Sequence, residues 1–296
     1  MLSTQYPWLN TRQYPFATRE FDSGEGWMSY VDQGQGRPIV FVHGSMTWSF
    51  LFRHLIRAYA GRYRCIAPDH LGFGLSEKPR GVDYGPEGAT ARLERLMEHL
   101  NLRDVTLVLH DFGGPVGLEW ATRHPNRVRD IIMFNSWAWS LADNLGAQRL
   151  AKLYGNPLNR FYYRVLNASP SFILPTLFAD RHRLPRPTQM QYMEPFRRQV
   201  DREGVYGLVE SWRSGTPFYE RLWERRHLIA HKRMLLLWGM KDPLFGPAAL
   251  DRFRAAFREH TAITFPTGRF LPEERGEEAA DEIGWFLLNS VPARVR

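Results

Sequence analysis

The stretch VTLVLHDFGGPVGLEWA, Val105–Ala121, decides the fold. Its first five residues form an apolar, β-branched run of strand length, and HDFGG breaks that run. Apolar spacing of helical period then resumes through Glu119, Trp120 and Ala121. A buried strand passing through a tight turn directly into a helix is the unit of a parallel sheet covered by helices. The same unit recurs on both sides. Pro38–Val42 (PIVFV) ends in His43-Gly44, and a helical stretch from Ser49 to Ala60 leads to a strand over Arg62–Ala67 that ends in Pro68-Asp69. Val128–Phe134 and Arg233–Trp238 read as further strands, and Ala262–Phe265 with Glu277–Leu288 as a final strand and helix. The expected class is therefore α/β. Between Ser136 and about Arg226 the rhythm stops, and the chain, rich in Arg, Tyr, Pro and Leu, reads as helices and turns. That places a helical insertion, 136–226, over one end of a core formed by 1–135 and 227–296.

Composition limits the function classes. At 296 residues and 44% hydrophobic the chain can bury a sizeable core, as about two domains or as one domain with an insertion. Ten Trp and nineteen Phe exclude a disordered chain. No uncharged apolar run approaches the ~18 residues that span a bilayer. Met1–Arg12 lacks the basic flank and apolar centre of a secretion signal, so the cytoplasm is the expected location and no membrane partner is expected. One cysteine, Cys65, excludes an internal disulfide and a thiolate cluster; on a predicted strand it reads as a buried hydrophobe. The net charge of +8 comes from Arg spread thinly, without blocks or nucleic-acid motifs. It reads as a solvated surface, with no nucleic-acid partner.

Ligands of an open parallel sheet bind beyond the carboxyl ends of its strands, and three loops there carry chemistry. His43-Gly44-Ser45 is the first, His110 to Gly114 the second, and Trp238-Gly239-Met240-Lys241-Asp242-Pro243 the third. Asp111 taken alone reads as a helix N-cap, and Asp242 taken alone as a turn carboxylate before Pro243. Together with HG-Ser after an earlier strand they read as a nucleophile and an acid. A carboxylate nucleophile attacks saturated carbon and leaves an alkyl ester, whereas acyl-serine chemistry is excluded at this position.

The turn resembles the nucleophile elbow of α/β hydrolases, and the chain as a whole resembles the haloalkane dehalogenase family. The matching stretches are FVHGSMTWSFLFRHLI (Phe41–Ile56), APDHLGFGLSEKP (Ala67–Pro79), VLHDFGGPVGLEWA (Val108–Ala121) and LLLWGMKDPLFGP (Leu235–Pro247), with Thr264–Leu287 in outline. The resemblance implies an α/β-hydrolase fold with a helical cap and no cofactor or metal. Its implied substrate is a small apolar or halogenated molecule, with chloride or bromide as leaving group. It places Asp111 as the nucleophile that displaces halide and Asp242 as the acid that orients a histidine, which activates water against the ester.

Three positions depart from the pattern. The family's histidine stands in a G-H-F context, and this chain has Gly268-Arg269-Phe270. A guanidinium titrates above pH ~12 and has no acceptor lone pair, so Arg269 is no general base. Phe112 stands where an indole N–H usually holds halide, and Ser45, followed by Met46, stands where Asn is the other common donor. His260 precedes the last strand and is expected at the far edge of the sheet. His43 and His110 read as structural imidazoles, and His182, His227 and His231 as solvated or capping groups. Arg269 is expected to turn inward and pair with Asp111, Asp242 or both. Trp137, Trp139, Tyr154, Tyr162 and Tyr163 read as packed helical aromatics rather than pocket walls. The sequence thus predicts a dehalogenase-like hydrolase whose ester hydrolysis is weak or absent. The alternatives are a family member that binds small molecules without turnover and an epoxide hydrolase-like enzyme.

Overall fold

The computed structural model describes residues 6–142, 144, 146, 148, 167 and 169–289. Strands β1 (Thr18–Asp22) and β2 (Trp27–Gln33) form a hairpin, followed by β3 (Pro38–Val42), α1 (Arg53–Tyr59), β4 (Arg64–Pro68) and α2 (Pro86–His99). Strand β5 (Val105–Asp111) passes into α3 (Gly113–Arg123), then β6 (Val128–Ser136). After β6 the labelled elements are α4 (Arg186–Met193), α5 (Glu203–Ser214) and α6 (Thr216–Arg225), and among the described residues no strand intervenes before β7 (Arg233–Gly239). The chain then alternates through α7 (Pro247–Ala256), β8 (His260–Phe265) and α8 (Gly276–Leu288). No described helix is long and apolar enough to cross a membrane.

The eight strands form one sheet in the order β1-β2-β4-β3-β5-β6-β7-β8. β2 runs antiparallel to β1 and β4, and every other pairing is parallel. All seven residues of β5 are buried, as expected of a central strand whose two faces are both covered by helices. β3 has the expected bounds and β4 starts two residues later than expected, at Arg64, whereas β5, β6, β7 and β8 run longer than their apolar runs predict. β5 includes His110 and Asp111, and β6 continues two residues past Phe134 to Ser136, because backbone pairing, not apolarity, defines their ends.

The hairpin β1–β2 and helix α2 carry no strong apolar pattern and were not predicted. β1 (TREFD) has no fully buried residue, as a charged edge strand that resists pairing with another chain. Cys65 is fully buried, and burial pushes its thiol up to about 12.

The N-terminal segment straps α4 to the core. The buried Gln191 accepts from Asn10 N at 2.9 Å and donates through Nε2 to Trp8 O at 3.1 Å. The indole of the buried Trp48 donates to the Gln191 carbonyl at 2.9 Å.

Candidate active site

The carboxyl ends of β3, β5, β7 and β8 bring the three predicted loops and the Arg269 turn to one edge of the sheet. The turn after β5 is tight. Asp111 has φ +50°, in the left-handed region that Asp tolerates better than most side chains. A Cβ on Gly113 would lie 2.0 Å from Val42 O, and one on Gly114 1.8 Å from Ser136 Oγ. The two glycines are what let α3 start against β3 and β6. Ser136 Oγ donates to the Asp111 carbonyl at 2.6 Å and fixes the turn from the neighbouring strand.

The Asp111 side chain does not cap α3, whose N-cap, Phe112, has no side-chain hydrogen bond. Instead its Oδ2 accepts from the backbone N–H of Ser45 at 2.8 Å, and Oδ1 lies 3.6 Å from Arg269 Nη1. Asp111 is thus turned away from the helix and toward the space between loops. Ser45 reaches it through its backbone rather than its hydroxyl. Phe112 is buried and packs edge-on to His70, with centroids 6.1 Å apart; it offers no donor.

Asp242 faces Asp111 from the other side of Arg269. Arg269 donates through Nε to Asp242 Oδ2 at 3.1 Å and through Nη2 to Oδ1 at 3.0 Å, a two-pronged pair. The guanidinium carbon lies 4.8 Å from the Phe245 ring centroid, and Phe245 stacks on Trp137 at 4.5 Å. Burial by itself raises the Asp242 carboxyl. The Arg269 charge and its hydrogen bonds, with backbone donors at Leu244 and Phe245, outweigh burial and hold it below the usual range. The Arg269 turn is itself fixed, since Arg269 N donates to Leu177 O at 2.9 Å and Gly268 N donates to Glu274 Oε1 at 2.8 Å. The expected inward ion pair is therefore present. It is centred on Asp242, with Asp111 the more distant partner.

No described histidine makes a hydrogen bond or ion pair with Asp111 or Asp242. The nearest candidates are committed to loop structure. His110 Nε2 is 3.1 Å from Arg269 O, and His43 Nε2 accepts from His70 N at 2.9 Å. His43 therefore donates through Nδ1 to Gly44 O, at 2.8 Å. Burial lowers all three imidazoles: His110; His43, with help from neighbouring His70; and His70, to about 4 with help from Arg92. They are neutral at pH 7. His260 opens β8, five residues before Phe265, which puts it about 16 Å along the strand from the site edge.

Two residues of the site escaped the sequence. Asn135 donates through Nδ2 to Gly239 O (2.8 Å), Phe245 O (3.1 Å) and Asp242 Oδ2 (3.3 Å), and accepts from Gly239 N at 2.7 Å. A lone amide in the apolar run IIMFN was the available signal. Glu274 binds Ala179 N and Asp180 N as well as Gly268 N, tying the Arg269 turn to the 177–180 segment; nothing in its sequence context distinguishes it. Trp137 and Trp139 are buried in ring contacts, as expected. Tyr154, Tyr162 and Tyr163 lie outside the described residues.

The family profile described as the alpha/beta hydrolase fold matches residues 37–275. Haloalkane dehalogenase 2 of Mycobacterium tuberculosis is 33% identical over 277 residues, covering 93% of this chain and 95% of that protein. The cis-3-alkyl-4-alkyloxetan-2-one decarboxylase of Shewanella oneidensis is 29% identical over 286 residues, covering 93% of this chain and 90% of its own length. Among solved structures, a mutant haloalkane dehalogenase of Agrobacterium tumefaciens C58 superposes with a TM-score of 0.84 at 26% identity, covering 95% of this chain and 100% of that one.

Proposed function

This chain belongs to the α/β-hydrolase family and is homologous to the haloalkane dehalogenases, and on that premise we propose that Asp111 is a carboxylate nucleophile toward halogenated alkanes whose ester then persists. On this reading the insertion that follows β6 corresponds to the family's cap, its first residue, Ser136, belonging to β6 of the core, and Arg269 occupies the family's histidine position. The observation that carries this reading is the Arg269 guanidinium, paired in two places with Asp242 and 3.6 Å from Asp111. In the forward step one Asp111 oxygen forms a C–O bond as the carbon–halogen bond breaks and halide departs with the bonding pair. The second step needs a group that takes a proton from water. Arg269 has no lone pair for this, and no described imidazole reaches the ester. General-base assistance is worth ~10²–10⁴-fold, and the loss of one member of a catalytic unit can cost more.

The test is incubation with 1-bromobutane followed by intact-mass analysis. One added butyl group is expected, absent in Asp111→Asn, with no steady release of bromide. Bromide release over many turnovers at ordinary enzyme rates overturns the arrested-ester reading. A protein that binds the haloalkane and never gains mass is the non-catalytic binding module.

The same guanidinium favours a second reading, in which the substrate is a strained β-lactone, the class named for the Shewanella relative. Asp111 attacks the ring C4, the C4–O bond breaks, and the ring oxygen leaves as a carboxylate beside Arg269. Loss of CO2 then sends the bonding pair into a C3–C4 double bond and expels Asp111 as a free carboxylate. The sequence consumes neither water nor a proton, so it has no use for the missing base. Catalytic production of alkene from a cis-3,4-dialkyloxetan-2-one, abolished in Asp111→Asn, would establish it; an intact lactone rules it out.

A further inference from the structure

A cleft of about 410 Å³ lies away from the Asp111 loops, between the segment that follows β6, helix α6 and helix α7. Two indoles form its apolar corner, Trp139 and Trp223, edge to face with centroids 5.1 Å apart. The guanidinium of Arg252 already sits against both, 4.4 Å from the Trp139 centroid and 4.9 Å from that of Trp223. Arg226 lies 4.7 Å from Trp223 as well. The negative ring faces of this corner therefore attract cations, as tryptophan does best among the aromatics. Glu220 and Glu224, one turn apart on α6, line the same cleft. Although Arg252 lines it too, neither glutamate makes an ion pair with it or with any other described residue. Two carboxylates without an ion-pair partner among the described residues thus line the same cleft as an aromatic corner.

We propose that this cleft binds a small organic ammonium ion, its cationic head facing Glu220 and Glu224 and its apolar body against Trp139 and Trp223. Arg252 is then an internal competitor for the aromatic corner, and its displacement opens the site. The recognition is by charge and ring face, so a quaternary ammonium serves as well as a protonated amine, and a carboxylate or neutral ligand of the same size is excluded.

The probe is benzyltrimethylammonium chloride, titrated calorimetrically into the full chain against a sodium chloride blank. Saturable 1:1 binding is expected. The exposed double substitution Glu220→Gln with Glu224→Gln should weaken it about tenfold, the sum of two surface ion pairs. Arg252→Gln should tighten it severalfold, whereas a merely structural arginine would leave affinity unchanged or reduced on removal. Unaltered thermal unfolding of each variant checks the fold. Absence of saturable binding below about 10 mM, unchanged affinity in the double glutamine variant, or no gain in Arg252→Gln each overturns the proposal.

Discussion

Arg269→Met tests whether the cation is what makes the buried acidic site tolerable. The substitution removes two hydrogen bonds of 3.0 and 3.1 Å to Asp242 and a charge 3.6 Å from Asp111. The Arg269 and Asp242 side chains are 6% and 0% exposed, so water cannot screen what is lost. Breaking a buried pair by removing one partner costs about 3–5 kcal/mol, because the other charge is left without compensation. Methionine keeps much of the apolar stem and its contact with Phe245, so the loss reports charge more than volume. The pH dependence gives the sign. In the native protein the Asp242 carboxyl is held below its ordinary value. Its contribution is therefore full above the unfolded value of ~3.9 and disappears only as pH falls through the folded one. Without Arg269 the burial effect dominates and the folded carboxyl titrates above the unfolded value. Lowering the pH from 7 to 5 then lets the folded state take up a proton, and the deficit narrows. Urea unfolding at pH 7 and pH 5, extrapolated linearly, measures both quantities. A deficit under about 1 kcal/mol at pH 7, against the ~3–5 expected of a buried pair, would refute the reasoning. So would a deficit that stays constant or grows at pH 5.

Three further outcomes are expected. Arg269→His combined with Phe112→Trp supplies a proton acceptor and an indole donor, and should raise bromide release from 1-bromobutane by about 10²-fold or more, read by a halide assay; unchanged release in a folded double variant would place the defect elsewhere in the pocket. Gly113→Ala forces a Cβ to within 2.0 Å of Val42 O, and should cost about 3 kcal/mol in urea unfolding, the upper range for overpacking; an unaffected midpoint would mean that the elbow can relax. Cys65, fully buried with its thiol pushed up to about 12, should stay unmodified by a thiol-disulfide reagent in native buffer and react at once in urea.

The apolar runs at Pro38–Val42, Val105–Leu109 and Arg233–Trp238 were legible because a strand covered on both faces must be apolar throughout. The chemistry at their ends was legible for a related reason: polar residues take over where each run stops, His43 directly after the first, Asp111 at the end of β5 and Asp242 three residues past β7, at the edge where a parallel sheet exposes its loops. The edge hairpin β1–β2 was not legible, since a half-solvated strand such as TREFD carries no apolar signature. Asn135 and Glu274 were missed for another reason. Their partners, Gly239, Phe245 and Asp242 for one and Ala179, Asp180 and Gly268 for the other, are close only after the chain has folded.

The sequence by itself determined the strand–turn–helix rhythm, the placement of Asp111 and Asp242 beyond the apolar runs at the carboxyl edge, and the identity of the residue at 269. These follow from local periodicity and from the chemistry of single side chains, and neither depends on distant contacts. Tertiary structure alone decided how Arg269 is shared between two carboxylates, two hydrogen bonds going to Asp242 and a longer approach to Asp111. That division depends on ångström-scale placement of loops from four strands, because the energy of a buried ion pair changes with distance and hydrogen-bond geometry far more steeply than residue order can encode.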